Sequence, residues 1–379
     1  MLKSPFFALH WLAWLALILG ACTTIPAAPG AGGMGGDGGG GGNGGFDGQT
    51  FPCTEQGIRN AIAAGGGPHS FDCSGPTQVP TAAVILIDNA VILDGGGELI
   101  VDSDDDHRVF EVAGDTTVEL RGMTITRGRS STGAGVFIGA GADVTLTDCS
   151  ITDCTTDDFG TSAGISVSDR ALLTLVDSTI ARNVAFAGGG IGVGTGGTAN
   201  VLRSTISENV AQDSVSGGIS VRGQLTVTNS TLSANSPGAI SVSADSSTTL
   251  TNTTIEGVEP ESGLPTLFIA GAGALTMVHS LLDGSCDSDV VVSGGNNIES
   301  PGDTCGLGGV GDTVGVSAAQ LKLGELGQNG GPTQTHEPGS GSVAIDAIDT
   351  ADCEVEDDQR RVARPQGAGC DVGAVEVVP

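Results

Sequence analysis

The sequence predicts an all-β solenoid, on three observations. A short pattern ending in an apolar residue returns at a nearly constant step, its residues alternate in polarity at period two, and no segment between Thr81 and Leu282 carries a helical period long enough for crossover helices. The pattern runs Leu120-Arg-Gly-Met-Thr-Ile125, Leu146-Thr-Asp-Cys-Ser-Ile151, Leu175-Val-Asp-Ser-Thr-Ile180 and Leu202-Arg-Ser-Thr-Ile206. It continues in Val227-Thr-Asn-Ser-Thr-Leu232, Leu250-Thr-Asn-Thr-Thr-Ile255 and Met277-Val-His-Ser-Leu-Leu282, so the terminal apolar residue recurs at steps of 26, 29, 26, 26, 23 and 27. Each unit then reads as one coil of three short faces stacked on the last at the strand spacing of about 4.8 Å. Val, Ile and Leu point inward, and Thr, Ser, Asn and Asp point outward.

The elements follow in chain order. Lys3 and the apolar run Pro5 to Gly20, interrupted only by His10, form a signal segment, because a run of sixteen residues falls short of the roughly 20 that cross a hydrocarbon core. The run ends in Leu19-Gly20-Ala21-Cys22, which resembles the lipobox of bacterial lipoproteins. That resemblance implies removal of residues 1–21 and a membrane partner through acyl chains (palmitate or its like) on Cys22. It also implies a cell-envelope location, and Thr23 in place of Asp leans it toward the outer membrane. Residues 22–48 read as a tether: Gly30 to Gly48 holds 13 glycines in 19 residues, a flexible coil reaching roughly 28 Å.

The folded body spans residues 49–326. Thr54 to Ala64 is its one helix, with Thr54 as N-cap, Glu55 in the first turn and Ile58 with Ile62 as an apolar stripe, and it reads as the lid on the first coil. A second apolar series lies out of phase with the first, at Gly135-Val136, Gly164-Ile165, Gly190-Ile191, Gly218-Ile219 and Ala239-Ile240. Asn183, Asn209 and Asn235 recur at one phase, where stacked amides would bond along the axis. Residues 327–379 read as an irregular module closing the far end, since an open coil exposes unpaired backbone and apolar side chains.

With these units placed, the chain resembles the right-handed parallel β-helix proteins of the pectate-lyase-like superfamily, and within them secreted bacterial proteins of the choice-of-anchor Q group. The group resemblance rests on Asn329-Gly-Gly-Pro-Thr, Ser342-Val-Ala-Ile-Asp346-Ala, Asp358-Gln-Arg, and Arg364-Pro-Gln-Gly-Ala-Gly-Cys370-Asp-Val-Gly-Ala-Val-Glu376. Arg361 stands where the group usually has Gly, and Val377 where it often has an aromatic residue. The resemblance implies a surface or secreted right-handed parallel β-helix and carries no established reaction.

Composition excludes some functions. With 14 Lys+Arg against 44 Asp+Glu the net charge is −30, or −31 (13 − 44) once Lys3 leaves with the signal, so no nucleic-acid partner is expected. The chain has no Tyr and its two Trp, Trp11 and Trp14, lie in the signal, which argues against an aromatic platform for stacking sugars or bases.

Eight cysteines remain beside Cys22, an even number in an exported chain. The nearest pairs are Cys53 with Cys73, Cys149 with Cys154, Cys286 with Cys305 and Cys353 with Cys370, although eight cysteines allow 105 pairings. The middle pair needs a bend between its members. Asp102, Asp104, Asp105 and Asp106 form the sharpest acidic cluster, either a weak Ca²⁺ site or a solvated turn. The missing EF-hand spacing favours the turn, so no cofactor is expected beyond that Ca²⁺ candidate. Asp157-Asp158 reads as a turn on the coil with the 29-residue step, against the alternative of a carboxylate pair for glycoside hydrolysis. Arg182 and Arg203 read as axial neighbours without flanking acids, and His279 and His336 as isolated surface histidines.

No catalytic residue is assigned. The sequence therefore favours a monomeric, non-catalytic envelope lipoprotein, a rigid acidic rod for adhesion, surface structure or contact with glycans or surface proteins. The alternative is a polysaccharide lyase or glycoside hydrolase on the same scaffold.

Overall fold

The computed structural model describes residues 48–257, 263–287 and 291–379. The signal, Cys22 and all but the last tether residue lie outside the described residues. Within them no helix is long and apolar enough to cross a membrane.

The stacking follows from the apolar ladders. Ile125, Ile151, Ile180, Ile206, Leu232, Ile255 and Leu282 are successive partners in parallel strands, so windows one step apart in the sequence lie directly over one another. Apart from Leu232 and Leu282 the ladder is isoleucine, and all seven residues are fully buried. The out-of-phase series forms its own ladder through Val136, Ile165, Ile191, Ile219 and Ile240.

Three parallel sheets result. Among the described residues the first has 19 strands, the second four and the third eight. In the first, a five-residue run such as Asp143–Thr147 or Leu172–Val176 is followed past a bend by a three-residue run such as Ser150–Thr152 or Thr179–Ala181. The bend residue is left-handed in every coil: Asp148, Asp177, Arg203, Asn229, Asn252, His279 and Asn296 have φ between 46° and 52°. Asp and Asn tolerate that region better than other non-glycine residues, which accounts for their recurrence here. The second sheet comprises Arg129–Thr132, Thr155–Thr161, Val184–Ala185 and Val210–Ala211. The third is built of three-residue strands from Ile85–Ile87 to Leu267–Ile269.

The asparagine ladder forms as expected. Asn209 Oδ1 accepts from Asn183 N at 3.1 Å and from Asn183 Nδ2 at 2.9 Å, and Asn235 Oδ1 accepts from Asn209 N and Nδ2 at 3.1 and 3.0 Å. A second ladder, unmarked in the sequence reading, runs through Ser178, Ser204 and Ser230, each hydroxyl accepting from the backbone N–H one coil back.

These ladders correct one pairing. Cys149 and Cys154 are free and buried, not a disulfide. Cys149 heads the serine ladder, its N–H donating to Ser178 Oγ at 3.0 Å, and Cys154 heads the asparagine ladder, its N–H donating to Asn183 Oδ1 at 3.0 Å. The strand Ser150–Thr152 separates the two turns, so each thiol fills a turn interior where later coils place Ser or Asn. The other three pairs form, Cys53–Cys73, Cys286–Cys305 and Cys353–Cys370.

The lid is helix α1, Glu55–Ala64, with Gly57 N donating to Thr54 Oγ1 at 3.1 Å. It buries Ile58, Ala61 and Ile62 over the first coil, each isoleucine contributing roughly 1.5–3 kcal/mol.

The far end departs from expectation. Residues 302–316 close it: Cys305 and Leu307 join the core, and Asn296, Glu299 and Asn297 exchange backbone bonds with Val310, Thr313 and Val316. Glu299 occupies the inward position after Leu282, fully buried, and accepts from Thr304 N and Oγ1 at 2.6 and 2.7 Å. The module of residues 327–379 instead lies along the flank of the first sheet. It bonds to Asp177, Thr205, Thr231, Thr254 and His279, covering an outward ladder of threonines.

Candidate functional site

The bends that carry the charged candidates also pair them. Arg203 follows Asp177 by one coil at the left-handed bend, and its Nε lies 2.9 Å from Asp177 Oδ1. Asp177 is also reached by Arg361 of the flank module at 2.7 Å. Arg182 occupies a different bend, beyond Thr179–Ala181, and binds Asp153 one coil back at 2.8 Å. The two arginines therefore stand at opposite ends of the stacked strands Thr179–Ala181 and Thr205–Ser207, not as axial neighbours, and each has its own acid. The Arg182 guanidinium holds the Asp153 carboxyl below its usual range, and the hydrogen bond to Asp177 raises Arg203.

The acidic cluster is likewise engaged. Asp102 is buried, with Arg127 Nη2 at 2.5 Å and Gln78 Nε2 bonded to Oδ2, and Asp104 shares Arg127 at 2.8 Å. Asp104 N also donates to Asp102 Oδ1 at 2.8 Å, and Asp104 and Asp105 adopt left-handed φ. The arginine neutralises the charge a Ca²⁺ ion would, and among the described residues no group of three or more His, Cys, Asp and Glu side chains is arranged to hold a metal. Asp157 pairs with Arg129 at 2.8 Å.

The motif residues near the C-terminus are buried clips. Gln359 is fully buried and inserts between the module and the coils: Nε2 donates to Thr205 Oγ1 at 3.1 Å, Thr333 Oγ1 at 2.9 Å and Gln334 O at 3.1 Å, while Oε1 accepts from Thr231 Oγ1 at 2.6 Å. Asp358 holds Arg360 at 3.0 Å, and Arg364 meets Glu376 at 3.0 Å with both side chains buried. Asp371 Oδ1 accepts from Asp346 N and Oδ2 from Val377 N, each at 2.7 Å, and burial pushes its carboxyl up to about 6. Arg361, the departure from the group's glycine, has φ +70° and uses its side chain on Asp177.

The histidines are not isolated on the surface. His336 is buried, with Nε2 2.9 Å from Ser233 Oγ and Nδ1 2.7 Å from Gly324 O. His279 is buried at the bend under the module, where its carbonyl accepts from Gly373 N at 2.9 Å and burial lowers its pKa. Cys149 and Cys154 are pushed up to about 12 by burial, so neither is a nucleophile near neutral pH.

Two open surfaces lie on the outer faces of the coils, one on the third sheet and one on the second. On the outer side of the third sheet the register aligns Ser166, Gly192 and Ser220, small residues that leave a shallow trough of about 140 Å³ also lined by Arg222. Phe137, under the Arg108 guanidinium at 4.6 Å, is the register partner of Ser166 one coil earlier. Around the corner, on the second sheet, Phe159 and Phe186 border a pocket of about 380 Å³ with Thr155, Asp157 and Gln212. The lack of Trp and Tyr concealed this pair, and the 29-residue step was its one sequence signal.

Residues 81–255 match the family described as right handed beta helix region. The fold is a right-handed parallel β-helix. No curated protein and no solved structure matches the chain. The match runs from Thr81 to Ile255, the sixth residue of the Ile125–Leu282 ladder, so the Arg182–Asp153 and Arg203–Asp177 pairs, the trough and the aromatic pocket all lie on the β-helix proper.

Proposed function

We propose that the chain is a non-catalytic envelope lipoprotein, a rigid acidic β-helix held off a membrane by acyl chains on Cys22 and the glycine-rich tether, and displayed for contact with glycans or surface proteins. The observation that carries the reading is the fate of the charged groups. The arginines at the bends are joined one coil back to Asp153 and Asp177, and the motif side chains Asp358, Gln359, Arg364 and Glu376 are buried in docking the module to the rod. These are the contacts of a stiffened column, with both the lid and the far end fastened by disulfides. The lipobox-like Leu19-Gly20-Ala21-Cys22 and the short apolar run before it support the anchor.

The test has two arms. Metabolic labelling with an alkyne fatty acid should tag the wild-type chain in the membrane fraction, and Cys22→Ser should lose the tag and leave the membrane. Incubation with neutral and uronic-acid polymers should release no new chain ends; release of ends would refute the non-catalytic reading.

The trough favours the enzymatic reading. Arg222 is exposed beside Ser166 and Ser220 and forms no ion pair among the described residues. On that reading Arg222→Ala would abolish turnover of an acidic polymer.

A further inference from the structure

We propose that the pocket beside Phe159 on the second sheet binds one ring of a neutral glycan. The inference rests on the display reading and names the ligand class that such a rod would contact.

The pocket is made by an outward bulge. Thr155 and Thr156 pair in register with Arg129 and Ser130, but the next pairing is Thr161 with Thr132, so residues 157–160 oppose Ser131 alone. Bulges of this kind re-aim side chains. This one is stitched to the next coil: Phe186 N donates to Thr156 Oγ1 at 3.2 Å, and the N–H groups of Phe186 and Ala187 donate to Gly160 O at 3.1 and 3.2 Å. Gly160 is required there, because a Cβ would fall 2.5 Å from Thr156 Cβ.

The bulge holds Phe159 at φ +62° with 78% of its surface exposed, the one largely exposed aromatic ring among the described residues. A bulky residue in the left-handed region is strained, and strain held by its surroundings clusters at ligand sites. Phe186 meets Phe159 edge to face, with centroids 5.0 Å apart at 61°, which fixes the exposed ring's orientation.

The rim selects the ligand. Asp157 lies 2.8 Å from Arg129, and the exposed Gln212 presents a side-chain amide that makes no hydrogen bond to a described residue. An apolar ligand would strip water from these groups without replacing its bonds. A pyranose offers both chemistries: its C–H face covers the phenyl ring, and its hydroxyls bond to the carboxylate and the amide. The charge of −30, with Arg129 already neutralised by Asp157, opposes an anionic sugar.

The test is affinity electrophoresis of the full-length chain in detergent, in gels containing galactomannan, hydroxyethyl cellulose, dextran or polygalacturonate. Retardation by at least one neutral polymer is expected, weakened at least about tenfold by Phe159→Ala and preserved by Phe159→Trp. Thermal midpoints of the variants should match wild type, since the ring is exposed. Equal retardation of wild type and Phe159→Ala would overturn the proposal, as would retardation by none of the neutral polymers. Retardation by polygalacturonate alone would also overturn it and point to the Arg222 trough. Shortening of a polymer during the run would instead refute the non-catalytic reading while leaving the pocket assignment standing.

Discussion

Asn209→Ala tests the ladder that holds the coils in register. The Asn209 side chain makes four hydrogen bonds: Oδ1 accepts from Asn183 N and Nδ2, and Nδ2 donates to Ile180 O at 2.9 Å and Asn235 Oδ1 at 3.0 Å. After truncation Asn183 Nδ2 keeps Ile151 O, and Asn235 Oδ1 keeps the Asn209 N–H, but the buried Asn183 N–H loses its acceptor. Three net bonds at about 1 kcal/mol each and an orphaned buried donor at about 1–3 kcal/mol give an expected loss of about 4–6 kcal/mol. Asn209→Asp is the sharper companion, because a carboxylate keeps the acceptor toward Asn183 but sets oxygen against Ile180 O and Asn235 Oδ1. Urea unfolding followed by far-ultraviolet circular dichroism is the assay, the folded body having neither Trp nor Tyr. A loss below about 1 kcal/mol for Asn209→Ala, or an Asp variant as stable as wild type, would refute the reasoning.

Three further predictions follow from the flank module and the thiols. Gln359→Ala removes the bonds to Thr205, Thr231 and Thr333 and should loosen the module by about 2–4 kcal/mol, seen as faster proteolysis after residue 317 with the coil signal intact. Asp371, raised to about 6 against an ordinary 3.8, binds a proton more tightly when folded. Its contribution is therefore full below about pH 4 and lost as pH rises through about 6, so wild type should gain up to about 3 kcal/mol over Asp371→Asn between about pH 8 and about pH 4. A thiol reagent should find Cys149 and Cys154 unreactive in folded Cys22→Ser and both reactive in denaturant, and a disulfide between them would leave neither.

The coils were legible because their cause is local and periodic. Ile125 through Leu282 alternate with outward Thr and Ser at a fixed step, and a parallel stack is the arrangement that buries every one of them. The lid was legible from Thr54, Ile58 and Ile62 for the same reason. The module's place was not, because Gln359 meets Thr205 and Thr231 across 154 and 128 residues, and nothing near Gln359 in the chain announces them. Cys149 and Cys154 misled because only four residues lie between them in the chain while a whole strand intervenes in space. The candidate site was hidden in a three-residue excess over the common step, which marks an insertion without saying that its third residue, Phe159, turns outward.

The stacking itself can be measured with spin labels. Thr145, Thr174, Asn200, Thr226, Thr249 and Thr276 are successive register partners, so Thr145 and Thr276 stand five coils apart on one outward ladder. Pulsed electron resonance on labels at these two positions should give one narrow distribution centred near about 24 Å, five strand spacings of about 4.8 Å. A broad distribution, or a centre displaced by more than about two strand spacings, would contradict the parallel stack.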